Sequence, residues 1–247
     1  MIYIRNEKEI EKIWKSCQIV KETLEMIERE IKPGITGIEL DKMAESFIQS
    51  KGAKPGFKGL YGYPATLCIS VEDEVVHGIP DNREFKEGNI VSIDVGSLLD
   101  GYYGDHAKTF PIGKISNERK KLMEVTHNCL IEGIQKAKPG NHIGDIGFTV
   151  QKIAESNEYG VVRELVGHGI GTSLHEDPQI PNYGIKGNGP LIETGMCFAI
   201  EPMINMGSYA VYTKKDGWTI GTKDGLPSAH FEHTIAVTDN GPRILTI

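Results

Sequence analysis

The sequence predicts an α+β fold in which two similar halves, residues about 1–115 and 116–247, form one domain. Each half opens with two segments of helical periodicity and continues with short strand-like runs. Several short motifs recur in the same order in both halves. Two copies are too few for a stacked repeat array, so we expect one compact domain with a pseudo-twofold axis between two α/β halves.

The helices are predicted from their caps, their apolar spacing and their stop signals. Asn6 and Thr36 each stand three residues ahead of a glutamate, a capping-box pattern, and apolar residues follow both at helical spacing. The first helix is expected to end at Lys32-Pro33-Gly34, and the first helix of the second half at the matching Lys138-Pro139-Gly140. A further helix is expected from about Asp145 to Ser156.

Strands are predicted in the remainder of each half. The six predicted runs are Thr66–Ser70, Ile90–Val95, Tyr103–Phe110, Val161–Val166, Cys197–Ile200 and Phe231–Val237.

The recurring motifs contain residues that could bind metal or take part in catalysis. Each half has one His-Gly-Ile sequence and two carboxylates that follow or interrupt apolar runs. The matched segments are His77-Gly78-Ile79 with His168-Gly169-Ile170, Gly88–Asp94 with Gly195–Glu201, and Asp105-His106 with Glu232-His233. A pseudo-twofold axis would bring these residues to one place.

Asp94 and Asp105 are predicted to lie on the same face of a hairpin, as diagonal neighbours. Asp94 interrupts a buried apolar strand, where an ionised carboxylate is unfavourable unless it is paired or binds a metal. Asp100-Gly101 is a good two-residue turn, and it would pair Gly96 with Asp105. The two aspartates would then share one face at a diagonal distance of roughly 7–8 Å between backbones.

Four carboxylates and one imidazole are the candidate metal ligands: Asp94, Asp105, His168, Glu201 and Glu232. Each acid alone is more often part of an edge or a hydrogen-bonded network. Together they would carry four negative charges without an Arg or Lys in their motifs, and two divalent cations would neutralise them. An oxygen-rich site with one imidazole suits Mn, Fe or Co, and Zn stays open.

Other candidate residues are ambiguous on chemistry alone. His77 and His175 lie beside or near glycines and could be ordinary turn residues. Tyr63, Cys68, Phe198 and Trp218 would by themselves be assigned to the core or to loops; no pattern marks them as functional.

Composition excludes some functions and compartments. The formal net charge of −7 and the lack of a long basic run argue against a nucleic-acid groove. The four cysteines form no CxxC pair, so a disulfide framework or a structural zinc site is not expected. The chain begins without an apolar signal core and has no apolar run long enough to cross a membrane, which makes the cytoplasm the expected location.

The motifs together resemble those of the type I methionine aminopeptidases over nearly the whole chain. They are Tyr63–Ser70, His77–Pro80, Ile93–Val95 with Gly104-Asp105, Gly167–Gly171, His175–Pro178, Ile200–Met203 and Ser228–Thr234. The resemblance implies a pita-bread fold, with two pseudo-twofold-related α/β halves around a central curved antiparallel sheet. It also implies the same five metal ligands, which would hold two divalent ions (Co, Mn, Fe or Zn).

The resemblance further implies an activity and the roles of individual residues. Such an enzyme removes the amino-terminal methionine when the second residue is small. Glu201 would act as the general base, and His77 and His175 would contact the substrate. Tyr63, Cys68, Trp218 and Phe198 are expected to form or border the methionine pocket. Leu174 departs from the family, in which an aromatic residue is common before the second histidine, and is expected to retune a pocket wall.

Alternatives remain at this point. An Xaa-Pro dipeptidase or aminopeptidase of the same fold would share the five ligands. A hydrolase of non-peptide amides is excluded only by the resemblance. A non-catalytic binding protein would keep the fold but have lost the metals. Expected partners are peptides and nascent chains with amino-terminal methionine, without nucleic acid or membrane. A monomer is expected, and a transient ribosome contact is left open.

Overall fold

The computed structural model describes residues 1–247 and contains four α-helices and fifteen β-strands. The helices are α1 (Glu7–Glu30), α2 (Gly37–Ser50), α3 (Asn117–Ile134) and α4 (Ile143–Ser156). The strands are β1 (Lys54–Pro55), β2 (Leu67–Val71), β3 (Glu74–Val76), β4 (Ile90–Leu99), β5 (Tyr102–Pro111), β6 (Gly160–Val161), β7 (Gly167–Gly169), β8 (Glu176–Ile180), β9 (Cys197–Ile200), β10 (Met203–Asn205), β11 (Val211–Thr213), β12 (Ile220–Thr222), β13 (Ser228–His230), β14 (His233–Thr238) and β15 (Gly241–Ile244).

The predicted starts of α1 and α2 are confirmed by their capping hydrogen bonds, whereas α4 begins at Ile143, two residues before the predicted start. The Asn6 side chain accepts from the Glu9 N–H at 3.1 Å, and the Glu9 carboxylate accepts from the Asn6 N–H at 3.0 Å. Thr36 and Glu39 form the same reciprocal pair at the start of α2. In both boxes two otherwise unpaired helical amides are satisfied. None of the four helices has both the length and the apolar composition required to traverse a lipid bilayer.

The hairpin of β4 and β5 has the predicted register. Leu99 pairs with Tyr102 and Gly96 pairs with Asp105. Asp100 and Gly101 lie between the strands with φ of 49° and 81°, as a two-residue turn of this kind requires. Both strands extend beyond the predicted bounds because the ladder continues to the turn.

Two predicted strands differ from the structure. The predicted strand Val161–Val166 is wrong beyond its first residue, because β6 pairs with only two residues of β10 and the chain then leaves the sheet. The predicted strand Phe231–Val237 is divided. Phe231 and Glu232 lie between β13 and β14 and belong to neither strand. The Glu232 N–H donates to the Ala107 carbonyl at 2.9 Å.

The halves meet along a seam between β5 and residues 230–234. All strand pairs in the structure are antiparallel, with β5 outside β4 in one sheet and β14 beside β9 in another. At one end of the seam the Thr234 hydroxyl donates to the Asp105 carbonyl at 2.8 Å and accepts from the Asp105 N–H. At the other end Thr109 makes the equivalent pair of hydrogen bonds with the His230 backbone. At each end of the seam a threonine hydroxyl therefore takes the place of a backbone hydrogen bond between β5 and residues 230–234.

The apolar core follows the same division. One cluster of 16 buried residues comes from residues 19–112, and another of 21 comes from residues 122–237 with Ile90. A third cluster of 11 joins the halves, with Cys17 and Cys68 from one and Leu174 and Cys197 from the other. Each half thus has its own core, while the assignment of residues 1–247 to one domain stays a prediction.

We expect Thr234→Val to destabilise the protein by about 1–3 kcal/mol, because the Asp105 amide and carbonyl would lose their buried hydrogen-bond partner. Denaturant unfolding of the metal-free protein measures this. Thr126→Val is the matched control: this threonine is also fully buried, but its hydroxyl only adds a bond to a helical carbonyl. Equal losses in the two variants would contradict a special role for the seam.

Candidate metal centre and active site

Five side chains from both halves converge at the seam. Asp94 lies on β4, Asp105 on β5, His168 on β7, Glu201 directly after β9, and Glu232 between β13 and β14. The His168 Nε2 atom lies 3.7 Å from Asp105 Oδ2 and 3.6 Å from Glu201 Oε1. Ligand atoms of Asp105, His168 and Glu232 all lie within 4.8 Å of one another. All five side chains line one cavity, as the repeat analysis predicted.

The hairpin register determines where the two aspartates point. Asp94 lies opposite Ala107, and Asp105 lies opposite Gly96, two residues further along β4. Because side chains alternate across a strand, Asp94 and Asp105 are on one face as diagonal neighbours. A shift of one residue in this ladder would move one carboxylate to the other face.

His168 is oriented by its own backbone. Its Nδ1 atom lies 2.9 Å from the Gly169 carbonyl oxygen, so Nδ1–H donates there and the Nε2 lone pair points toward the carboxylates. The flanking glycines allow close strand approach: a Cβ on Gly169 would lie 2.2 Å from the Asp177 carbonyl oxygen, and one on Gly167 would lie 2.4 Å from that of Ala199. The Gly-His-Gly sequence is therefore a packing requirement at this site.

The buried carboxylates are electrostatically unsatisfied. Burial is the main cause that raises the pKa of Asp94 to about 7 and that of Glu201 to about 8. Burial, reinforced by the neighbouring carboxylates, also raises the pKa values of Asp105 and Glu232 well above their ordinary range. One oxygen each of Asp94, Asp105 and Glu232 is buried without a hydrogen-bond partner. This donor set of carboxylate oxygens and one imidazole nitrogen fits divalent cations of the Mn, Fe and Co type.

His230 is a residue of the site that the sequence analysis missed. Its side chain is 1 % exposed, and its Nε2 atom lies 3.4 Å from Glu201 Oε2 without a hydrogen-bond partner. Its position two residues before Glu232 was the available signal, because alternate residues of an extended segment point to the same side.

His77 and His175 line the cavity beside the ligands. His77 has a left-handed backbone with φ of 59°, and burial lowers its pKa to about 4. The His175 ring packs edge-to-face on His168 with 4.5 Å between ring centroids, and burial lowers its pKa as well. Both imidazoles are therefore neutral at pH 7, so each has one ring nitrogen that donates a hydrogen bond and one that accepts.

An apolar wall closes the cavity, which has a volume of about 120 Å³. The wall residues are Phe57, Leu60, Tyr61, Tyr63, Cys68, Leu174 and Trp218. The Tyr63 hydroxyl lies 2.9 Å from the carbonyls of both Leu67 and Gly78, and its ring packs edge-to-face on Trp218 at 5.1 Å. Three of these wall residues were not predicted, because nothing in the sequence distinguishes them from loop residues. They are Phe57, Leu60 and Tyr61.

Phe198 does not lie in this wall, contrary to the prediction. Its side chain is fully buried in the core of the second half, with Ile200. Side chains alternate along β9, so Cys197 faces the cluster that joins the halves while Phe198 faces away from it. Phe198 is therefore a core residue of the second half.

Comparison with known proteins agrees with this geometry. Residues 11–239 match the family model of metallopeptidase family M24. The chain belongs to metallopeptidase family M24. The predicted family resemblance and the prediction of a metal-dependent hydrolase are thereby confirmed, and the family implies divalent metal cofactors.

Individual relatives match over the full length. A methionine aminopeptidase of Clostridium perfringens is 51% identical over 100% of this chain and 99% of its own. A methionine aminopeptidase 1 of Bacillus subtilis is 50% identical over 100% of this chain and 99% of its own. The crystal structure of methionine aminopeptidase from Rickettsia prowazekii superposes with a TM-score of 0.99 at 42% identity and covers 100% of both chains. These matches confirm the pita-bread fold.

A prolidase from Pyrococcus furiosus has the same fold at lower similarity. Its TM-score is 0.81 at 26% identity, and the match covers 99% of this chain but 65% of the prolidase. The fold is thus shared by peptidases of different specificity, and the substrate has to be argued from the cavity.

The metal-free protein should lose stability as pH rises from about 6.5 to 8. In this range the carboxylates with raised pKa values still hold protons in the folded state and have lost them in the unfolded state, so unfolding is favoured as protons are removed. The buried histidines have lowered pKa values and contribute in the opposite direction only below about pH 6.5. Denaturant unfolding at several pH values provides the test.

Saturating Mn²⁺ should reverse this trend, because metal binding requires the deprotonated carboxylates. A metal-free protein whose stability stayed constant or rose between pH 6.5 and 8 would show that these carboxylates do not hold protons in the fold.

Proposed function

We propose that this protein is a methionine aminopeptidase that removes the amino-terminal methionine from peptides and nascent chains when the second residue is small. The observation that carries this proposal is the position of the five ligand side chains beside a small apolar cavity. The full-length similarity to methionine aminopeptidases at 50–51% identity supports the same activity.

Asp94, Asp105, His168, Glu201 and Glu232 would hold two divalent ions. When bound, such ions lower the pKa of a water molecule and polarise a carbonyl group. Charge supports a count of two ions, since two divalent cations would neutralise four ionised carboxylates. Mn, Fe, Co and Zn all remain candidates for the physiological ion.

Glu201 is the best candidate for the general base. It stands between two histidines, with one oxygen 3.6 Å from His168 Nε2 and the other 3.4 Å from His230 Nε2. Burial raises its pKa above the ordinary range, which increases the affinity of this carboxylate for a proton. Glu201 would take the proton of the attacking water and transfer it to the leaving amine.

His175 and His77 would orient the scissile amide. A neutral His175 can donate a hydrogen bond from its ring N–H group to the carbonyl oxygen, where negative charge develops during attack. His77 lies on the same cavity and would contact the substrate backbone. Since burial holds both rings neutral, each keeps one donor and one acceptor for this purpose.

The apolar wall would hold the methionine side chain. Tyr63 and Trp218 present aromatic surfaces and Cys68 a buried thiol, and a thioether packs favourably against aromatic rings. Leu174 is buried in the same wall and would set its shape next to His175.

An Xaa-Pro dipeptidase or aminopeptidase remains the main alternative because the fold is shared. The apolar wall beside the ligands favours methionine, and so does the difference in coverage between the two kinds of relative. A metal-free binding protein is disfavoured because all five ligand residues and both accessory histidines are present.

We place the reaction in the cytoplasm, where nascent chains carry their initiator methionine, and we propose that a monomer performs it. A transient ribosome contact would bring the enzyme to those chains.

Glu201→Gln should lower kcat for Met-Ala-Ser by about 10²-fold or more, because the amide cannot accept the water proton. The wild-type protein is stripped of metal, reloaded with Mn, Co, Fe or Zn in turn, and assayed for released methionine. Glu193→Gln is the matched control, since this glutamate lies outside the cavity on the same segment of chain.

Xaa-Pro peptides and amino-terminally blocked peptides are assayed beside Met-Ala-Ser. Activity on Xaa-Pro peptides alone would transfer the assignment to the dipeptidase alternative. Absence of activity with every metal would leave the binding protein as the better account.

A further inference from the structure

The amino-terminal segment packs against the loop that carries His175. Residues 170–175 form this loop, between β7 and β8, and Glu176 is the first residue of β8. Ile2 forms a parallel bridge with Asp177, and the Arg5 N–H donates to the Gly195 carbonyl at 2.8 Å. These contacts place the first five residues beside the loop that carries His175, although the two segments are about 170 positions apart in the sequence.

A buried ion pair joins the two segments. The Arg5 Nη2 atom donates to both carboxylate oxygens of Glu176 at 2.7 Å, and the exposed fractions of these side chains are 7% and 5%. Arg5 also reaches Glu9 in α1 at 3.4 Å. A charge pair this far from solvent is unfavourable to break, because the partner left behind is desolvated and unpaired.

The Glu176 carboxylate in turn organises the loop. Its Oε1 atom accepts from the backbone N–H groups of Thr172 and Ser173 at 2.9 Å and 3.0 Å, and from the Thr172 hydroxyl at 3.2 Å. Gly171 lies directly under the guanidinium group, where a Cβ would approach Arg5 Nη2 within 2.4 Å. The loop is therefore closed around one carboxylate whose charge Arg5 balances.

We infer that Arg5 and Glu176 are positioning residues for His175. Glu176 follows His175 in the chain, so the ion pair fixes the backbone that presents the imidazole to the cavity and to His168. Arg5 lines no cavity at the site, and Glu176 is absent from the apolar cavity but lines the neighbouring one with His168 and Glu201. This inference rests on the proposed function, in which His175 orients the scissile amide. A displacement of about 1 Å at such a group lowers the rate by about 10²-fold.

Arg5→Met tests the inference in the Mn-loaded protein. We expect kcat for Met-Ala-Ser to fall by about tenfold to 10²-fold with little change in KM, because the substrate still binds but its carbonyl is less well oriented. Arg5→Lys keeps the charge without the planar guanidinium group, and its kcat should lie between those of Arg5→Met and the wild type. If Arg5→Met does not fold, Arg5→Lys alone decides.

Arg119→Met is the matched control. Arg119 donates to Glu72 from Nε and Nη2 in a partly buried ion pair outside the site, so its loss should leave kcat within about twofold of the wild type. Metal content and melting temperature are measured for every variant. A loss of kcat that follows lost metal, or an equal loss in Arg119→Met, would assign Arg5 a general structural role and overturn the inference.

A second readout does not depend on catalysis. In the metal-free wild type we expect one sharp NMR signal for the His175 ring, assigned with His175→Asn, and in Arg5→Met a shifted or broadened one. An unchanged ring signal together with unchanged kcat would overturn the positioning role. If the wild type released no methionine at all, the proposed function would fail, and the ring signal would still decide whether Arg5 positions His175.

Discussion

Four carboxylates forced together in a buried place are the constraint on which this structure depends. Ionised side chains at such short separation repel each other, and burial removes the water that would screen them. The fold holds them by strand register, by threonine hydrogen bonds at the seam and by glycines that admit close backbone approach. The raised pKa values and the unpartnered oxygens are the expected state of such a cluster in the absence of positive charge.

The duplicated plan of the chain explains how five ligands reach one point. Each half has its own core and contributes an apolar strand that contains a carboxylate or is followed by one, so the ligands are held by two packed cores and meet where the halves join. Thr109 and Thr234 bind the opposite backbone at equivalent positions of the seam. The geometry of the site therefore depends on how the halves pack together. The cluster of 11 buried residues that joins them contains residues of both halves.

Much of the fold and most of the ligand set could be predicted from the sequence because they follow from local rules. Capping boxes predicted the helix starts, and Asp100-Gly101 predicted the register that places Asp94 beside Asp105. Residues whose role depends on tertiary packing escaped prediction. Nothing local marks Tyr61 as a cavity residue, and Phe198 was misplaced because the face of β9 that meets the cavity depends on the seam. The contact of Arg5 with Glu176 spans 171 positions and has no local signature.

Asp94, Asp105, His168, Glu201 and Glu232 are expected to bind two divalent ions together. Anomalous diffraction from crystals of the protein soaked in Mn²⁺ would locate the metal independently of any assay. We expect two peaks about 3.5–4 Å apart, each within bonding distance of some of these five side chains. A single ion bound elsewhere, or no ion at this cluster, would contradict this expectation.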